Sequence, residues 1–132
     1  MAYALDTNII IHLLRGTPSV ISIFDKKISQ GAQMIIPPYV DYEIRRGLRY
    51  VSATAKEHAY GHLCRACEMG EMRRETWIRA SHLYVGLRQD GFTVSDADII
   101  IGAFCITDGH TLVTNNINDF KNMKELIFED WL

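Results

Sequence analysis

The chain has 132 residues, of which 48% are hydrophobic and 23% charged, and its formal net charge is −2. That is ordinary composition for one globular domain, expected here to span 1–132, with enough length to bury a core. No apolar run approaches the roughly 18 residues of a membrane span, and no global basic field marks the chain as a nucleic-acid binder by charge alone.

The apolar start, Ala2-Tyr3-Ala4-Leu5, reads as a strand buried on both faces. A strand this close to the N-terminus, with no basic region before it, argues against a secretory leader. The strand stops at Asp6, Thr7 and Asn8. In open parallel sheets, ligands bind beyond the carboxyl ends of the strands, which is where Asp6 falls. Asp6 also reads as an N-cap for the apolar helix that follows, although Thr7 and Asn8 offer alternative caps. Ile9–Leu14 begins that helix, and Gly16-Thr17-Pro18 stops it. A second helix is expected over Ser19–Gln30 with Val20, Ile21, Phe24 and Ile28 inward, closed by Gly31. Met34-Ile35-Ile36 is a second buried strand ending at Pro37-Pro38. Strand, helices, strand implies a right-handed crossover and a parallel sheet.

Tyr39–Val51 carries Val40, Ile44, Leu48 and Val51 at helical spacing. At about 100° per residue, Asp41 and Glu43 both lie on the flanks of this stripe, so periodicity alone leaves both as candidates. Arg45, Arg46 and Arg49 fall on the solvated arc. Residues 52–90 read as two helices with a break near Gly70, the first with Ala55, Ala59, Leu63 and Ala66 inward. The second carries Trp77, Ala80, Leu83, Tyr84 and Leu87, with Trp77 and Tyr84 expected in the core rather than as a base-stacking platform. Ser95-Asp96-Ala97-Asp98 opens Ile99–Ile106, a helix apolar all round that must be deeply buried. Thr111-Leu112-Val113 is a third strand, followed by Thr114-Asn115-Asn116 and then Asp119. Leu126-Ile127-Phe128 is the last strand expected. The fold class is therefore α/β, an α/β/α sandwich around four or five parallel strands.

Four acids recur at element ends or flanks: Asp6, Glu43, Asp98 and Asp119, with Asp96 and Asn116 beside the last two. Carboxylates gathered at one sheet edge strongly disfavour their own charges unless a cation neutralises them. Hard oxygen donors without clustered His or Cys suit Mg2+ or Mn2+ rather than zinc. Such a site polarises a phosphodiester and lowers the pKa of a bound water. Cys64-Arg65-Ala66-Cys67, with His58 and His62 upstream, has half-zinc-site spacing, but no second pair follows. The odd cysteine count fits a reducing compartment, the cytoplasm. Arg45, Arg46, Arg49, Arg73, Arg74 and Arg79 form either a phosphate-binding rim or solvated helix faces.

These segments carry a family resemblance. Leu5-Asp6-Thr7-Asn8-Ile9, Tyr42-Glu43-Ile44-Arg45-Arg46-Gly47, Asp98-Ile99-Ile100-Ile101-Gly102-Ala103 and Thr114-Asn115-Asn116-Ile117-Asn118-Asp119-Phe120 resemble the four motifs of PIN-domain proteins, in order and over the full length. The closing Glu129-Asp130-Trp131 also fits, and the size is that of VapC-like toxins. The resemblance selects Glu43 over Asp41. It implies a Mg2+- or Mn2+-dependent endoribonuclease acting as the toxin of a type II toxin–antitoxin pair. Asp6, Glu43 and Asp98 would hold the metal and Asp119 would complete the cluster, with Thr7, Asn8, Thr114 and Asn116 orienting ligands or water. Asn116 stands where many members carry an acid. An RNA substrate, a small antitoxin and a homodimer are implied as partners. Two other readings are a catalytically weak module acting by protein or RNA binding and an aspartyl-phosphate enzyme. The latter needs an Asp where this chain has Asn8.

Overall fold

The computed structural model describes residues 1–132. Its centre is β1 (Ala2–Leu5), paired in parallel with β2 (Gln33–Ile36) on one side and β4 (Thr111–Val113) on the other. Short edge strands β3 (Glu68–Met69) and β5 (Phe128–Glu129) complete a five-stranded parallel sheet in the order β3-β2-β1-β4-β5. Tyr3, Ala4 and Leu5 are all buried although their side chains alternate between faces. Helices must therefore cover both sides of the sheet, as the unbroken apolar run predicts. The chain winds outward from β1 to β3, then crosses back to β4 and β5. This reversal puts the switch point at the carboxyl edge between β1 and β4.

α1 (Thr7–Arg15) starts directly after β1 and stops at Gly16, whose φ of 78° is left-handed. Its N-cap is Asp6 itself, with a side chain that accepts from the Thr7 backbone N–H. Thr7 and Asn8 are thus not the caps. α2 (Pro18–Ser29) buries Val20 and Phe24, whereas Ile28 stays exposed. α3 (Pro38–Tyr50) buries Val40 and Ile44, and Val51 lies past its end at 67% exposure. α4 (Thr54–Ala66) docks through Tyr60 rather than through its alanines. The Tyr60 hydroxyl donates to Asp41 Oδ1 at 2.7 Å, which ties Asp41 to the α3–α4 contact.

Two exposed residues pair with β2 to form β3, where a break between helices was expected. Gly70 follows, and a Cβ there would collide with the ring of Phe104. α5 (Arg74–Gln89) packs along α6 (Asp96–Asp108), whose residues 101–105 are all buried. Trp77 and Tyr84 on α5 are exposed, at 52% and 39%, against the core placement expected of them. A short helix, α7 (Ile117–Phe120), leads toward β5, which starts two residues later than the 126–128 expected and shares only Phe128 with it. No helix is long and apolar enough to cross a membrane.

Candidate active site

Asp6 sits at the switch point, 5% exposed. Its Oδ1 accepts from the Thr7 backbone N–H at 2.8 Å, and its Oδ2 accepts from Thr114 Oγ1 at 2.7 Å. Thr114 follows β4 as Asp6 follows β1, so the β1–β4 pairing is what brings the two together. The same Thr114 hydroxyl accepts from the Asn116 backbone N–H at 3.0 Å, which folds the segment after β4 back over the cleft. Burial holds the Asp6 carboxyl above its ordinary pKa against the two hydrogen bonds, and the nearby charges of Glu43 and Asp119 push the same way.

Glu43 reaches the cleft from α3. Thr7 Oγ1 donates to its Oε1 at 2.8 Å, and Arg46 Nη2 stands 3.8 Å from its Oε2. Asp98 enters from the first turn of α6, where Ser95 caps the helix and accepts from the Asp98 N–H at 3.2 Å. Its pKa is raised from 3.8 to about 6, first by burial and then by the charges of Asp6 and Asp119. Asp6, Thr7, Asn8, Glu43, Asp98 and Asn116, with Ile11, line one cleft of about 200 Å³. Asp119 stands behind Asn116, which donates from Nδ2 to its Oδ2 at 2.5 Å. The Oδ1 of Asn8 is buried without a partner, while its Nδ2 donates to Asn115.

The structure thus gathers Asp6, Glu43 and Asp98 in the cleft, with Asp119 held by Asn116 and within hydrogen-bonding reach of Asp98. Asp96 is not brought there. It lies within α6, exposed, beside Trp77 and Tyr84 in a separate hollow of about 410 Å³. Two residues along a helix turn the side chain by about 200°, which carries Asp96 to the far face. No three Asp, Glu, His or Cys groups are close enough together to hold one ion. Asp98 and Asp119 lie within hydrogen-bonding reach of each other, and hydroxyl, amide and backbone donors occupy oxygens of Asp6, Glu43 and Asp119. The donor chemistry still fits a hard divalent cation: every group lining the cleft that can donate does so through oxygen, Asn8 Oδ1 is orphaned, and Asp98 resists its own charge.

The cysteines take no part. All three are free thiols, and burial pushes Cys67 up to about 12, far from a thiolate at neutral pH. Two groups stand beside Glu43 on α3: Tyr42, to which the sequence reading gave no role, and Arg46, which it left among the arginines of a candidate rim. Their positions one before and three after Glu43 were the available signal.

A family model described as PIN domain matches residues 3–126. The chain belongs to the PIN domain family. This PIN chain is 27% identical to Ribonuclease VapC2 of Rickettsia felis over 99% of its own length and 98% of that protein. It is 24% identical to a Ribonuclease VapC1 of Haemophilus influenzae, with the same coverage. Among solved structures, it superimposes on a chain of VapBC2 from Rickettsia felis bound to a DNA fragment from their promoter. That match has a TM-score of 0.93 at 24% identity and covers all of both chains. A chain of VapBC-5 from Mycobacterium tuberculosis, of the VapBC family of toxin–antitoxin systems, gives 0.71 at 18% identity and covers 98% of this chain and 96% of that one. These structural matches show the PIN fold.

Proposed function

We propose that this PIN domain protein is a metal-dependent endoribonuclease, the toxin of a toxin–antitoxin pair, with residues 1–132 as one catalytic unit. The supporting observation is the meeting of Asp6, Glu43 and Asp98 in one cleft at the switch point. It occurs in a chain aligned end to end with proteins named as VapC ribonucleases.

In this reading Asp6, Glu43 and Asp98 hold Mg2+ or Mn2+, with Asp119 completing the negative charge through Asn116. The ion supplies Lewis acidity toward a phosphodiester and an attacking water. The rest is done by the chain. Thr114 and Thr7 fix the rotamers of Asp6 and Glu43, so the acids keep their aim without an ion. Asn116 holds Asp119 toward the cleft, and Asn8 offers its free carbonyl oxygen. No side chain in the cleft is an activated nucleophile, so hydrolysis proceeds by in-line attack of water without a covalent protein intermediate. A small antitoxin and a second copy of the chain are the protein partners of this reading, and the cytoplasm is its compartment.

The test is cleavage of RNA in magnesium by the wild type and by Asp6→Ala. Removing a ligand should cost more than the tenfold to hundredfold typical of outer-shell partners. Equal cleavage by both proteins would refute the mechanism. Calorimetric titration with Mg2+ or Mn2+ separates this reading from a silent binding module, for which no heat of binding is expected.

A further inference from the structure

The arginines that the sequence left as an undivided rim are sorted by their partners. Arg45 pairs with Asp41 at 3.0 Å and lies over the Tyr60 ring, so it belongs to the α3–α4 contact. Arg73 pairs with Asp108 and Arg79 with Glu125, both away from the cleft. Arg46 alone forms an ion pair with a cleft carboxylate, Glu43. Its guanidinium also lies over the ring of Tyr42, 5.0 Å from the centroid, with Nη1 donating to the Tyr42 hydroxyl at 3.4 Å. Tyr39 meets Tyr42 edge-on, with centroids 5.7 Å apart at 71°. Tyr42 is nonetheless 54% exposed, and so is the Arg46 side chain.

An exposed tyrosine braced by a second ring and capped by a guanidinium is a stiff, flat, cationic surface. It stands one helical turn from an acidic cleft that repels polyanions. We infer that Tyr42 and Arg46 form the substrate-positioning platform of this site. A nucleobase flanking the scissile phosphate stacks on the Tyr42–Arg46 pair, and Arg46 contacts a backbone phosphate of the same single-stranded RNA. Unpaired bases stack on aromatic rings and guanidinium planes alike. Pairing at 3.8 Å with a partly exposed carboxylate is weak enough for Arg46 to exchange toward a phosphate.

The inference rests on the ribonuclease reading, and two measurements separate their failures. The first is binding without cleavage, in an Asp98→Asn background free of divalent ions, of a short fluorescein-labelled mixed-sequence single-stranded RNA followed by anisotropy. Tyr42→Leu should weaken binding about tenfold or more, as loss of one stacked base does. Tyr42→Trp should hold it. Arg46→Gln should weaken binding and flatten the log–log salt dependence by about 0.7, one phosphate's worth on a single strand. Arg46→Lys should restore the slope. Failure of the RNA to bind, or equal binding by the parent, Tyr42→Leu and Arg46→Gln, overturns the platform, the latter being the result for a surface that serves a protein partner. The second measurement is steady-state cleavage in magnesium, where both variants should raise KM while kcat stays near wild type. Loss of kcat at unchanged KM would also overturn it. Absence of cleavage by the wild type refutes the ribonuclease reading and leaves the anisotropy result to judge the platform.

Discussion

Asp6 does two jobs that usually compete. One carboxylate oxygen caps α1 and the other takes the hydroxyl of Thr114, a residue more than a hundred positions away in the chain. Thr114 is fully buried, so its loss strands a buried carboxylate oxygen rather than exposing it to water. Thr114→Val should destabilise the protein by about 1–3 kcal/mol, read from urea unfolding, and should lower cleavage about tenfold to a hundredfold. Asp98 gives a second test at this scale. Its carboxyl titrates near 6 instead of 3.8, so the folded state binds a proton more tightly than the unfolded chain. Stability from this group is therefore present at low pH and lost as pH rises from 3.8 through about 6. The carboxyl is half exposed, and solvent screening reduces the loss to about 1 kcal/mol. A divalent ion bound there needs the deprotonated acid. Added magnesium should accordingly raise the melting temperature well above pH 6 and scarcely at all well below it, whereas an equal rise at both would separate ion binding from Asp98.

The elements show how little regular structure is needed to place these groups. β3 and β5 have two residues each, yet they extend the sheet on both sides of the strands that carry Asp6 and Thr114. Gly70, just after β3, passes so near the Phe104 ring that a methyl group has no space. Gly70→Ala should cost about 1–3 kcal/mol, the usual penalty for overpacking, seen as a lower urea midpoint. An unchanged midpoint would mean that the Phe104 ring yields freely. α6 shows the same economy: Ser95 caps it, and helical geometry then sends Asp98 into the cleft and Asp96 away from it.

On the scale of the molecule, the charged cleft has an apolar counterpart. Trp77, Tyr84 and Val85 on α5 are each at least 39% exposed, around a hollow of about 410 Å³ that includes part of α6. Exposed apolar side chains grouped around a hollow are a candidate interface. In the proposed reading a second copy of the chain covers it. Trp77→Glu should then convert a dimer to a monomer in light scattering, with the acidic cleft intact and cleavage of RNA retained. A wild-type monomer would remove the homodimer from the reading, and a dimeric Trp77→Glu would move the interface to another face.

Buried apolar runs such as Ala2–Leu5 and Met34–Ile36 state their own secondary structure, because a strand covered on both faces tolerates nothing else. They made the parallel α/β sheet, its crossover and the place of Asp6 after β1 legible from the amino acids. The residues of the cleft were legible as well, since each falls at the end or flank of an element that pattern alone identifies. Pattern could not show the edge strand Glu68–Met69, which exists only because β2 supplies hydrogen-bond partners. It misplaced Trp77 and Tyr84, because helical spacing reports which residues share a face and not what that face meets. It could not choose between Asp41 and Glu43 either; Tyr60 claims the first and Thr7 turns the second toward Asp6. Local order follows from chain-neighbour physics and is written in the sequence. The family motif names Glu43 ahead of Asp41, but what turns it into the cleft, which arginine pairs with it and which aromatic stays in water depend on long-range packing, and only the tertiary structure decides them.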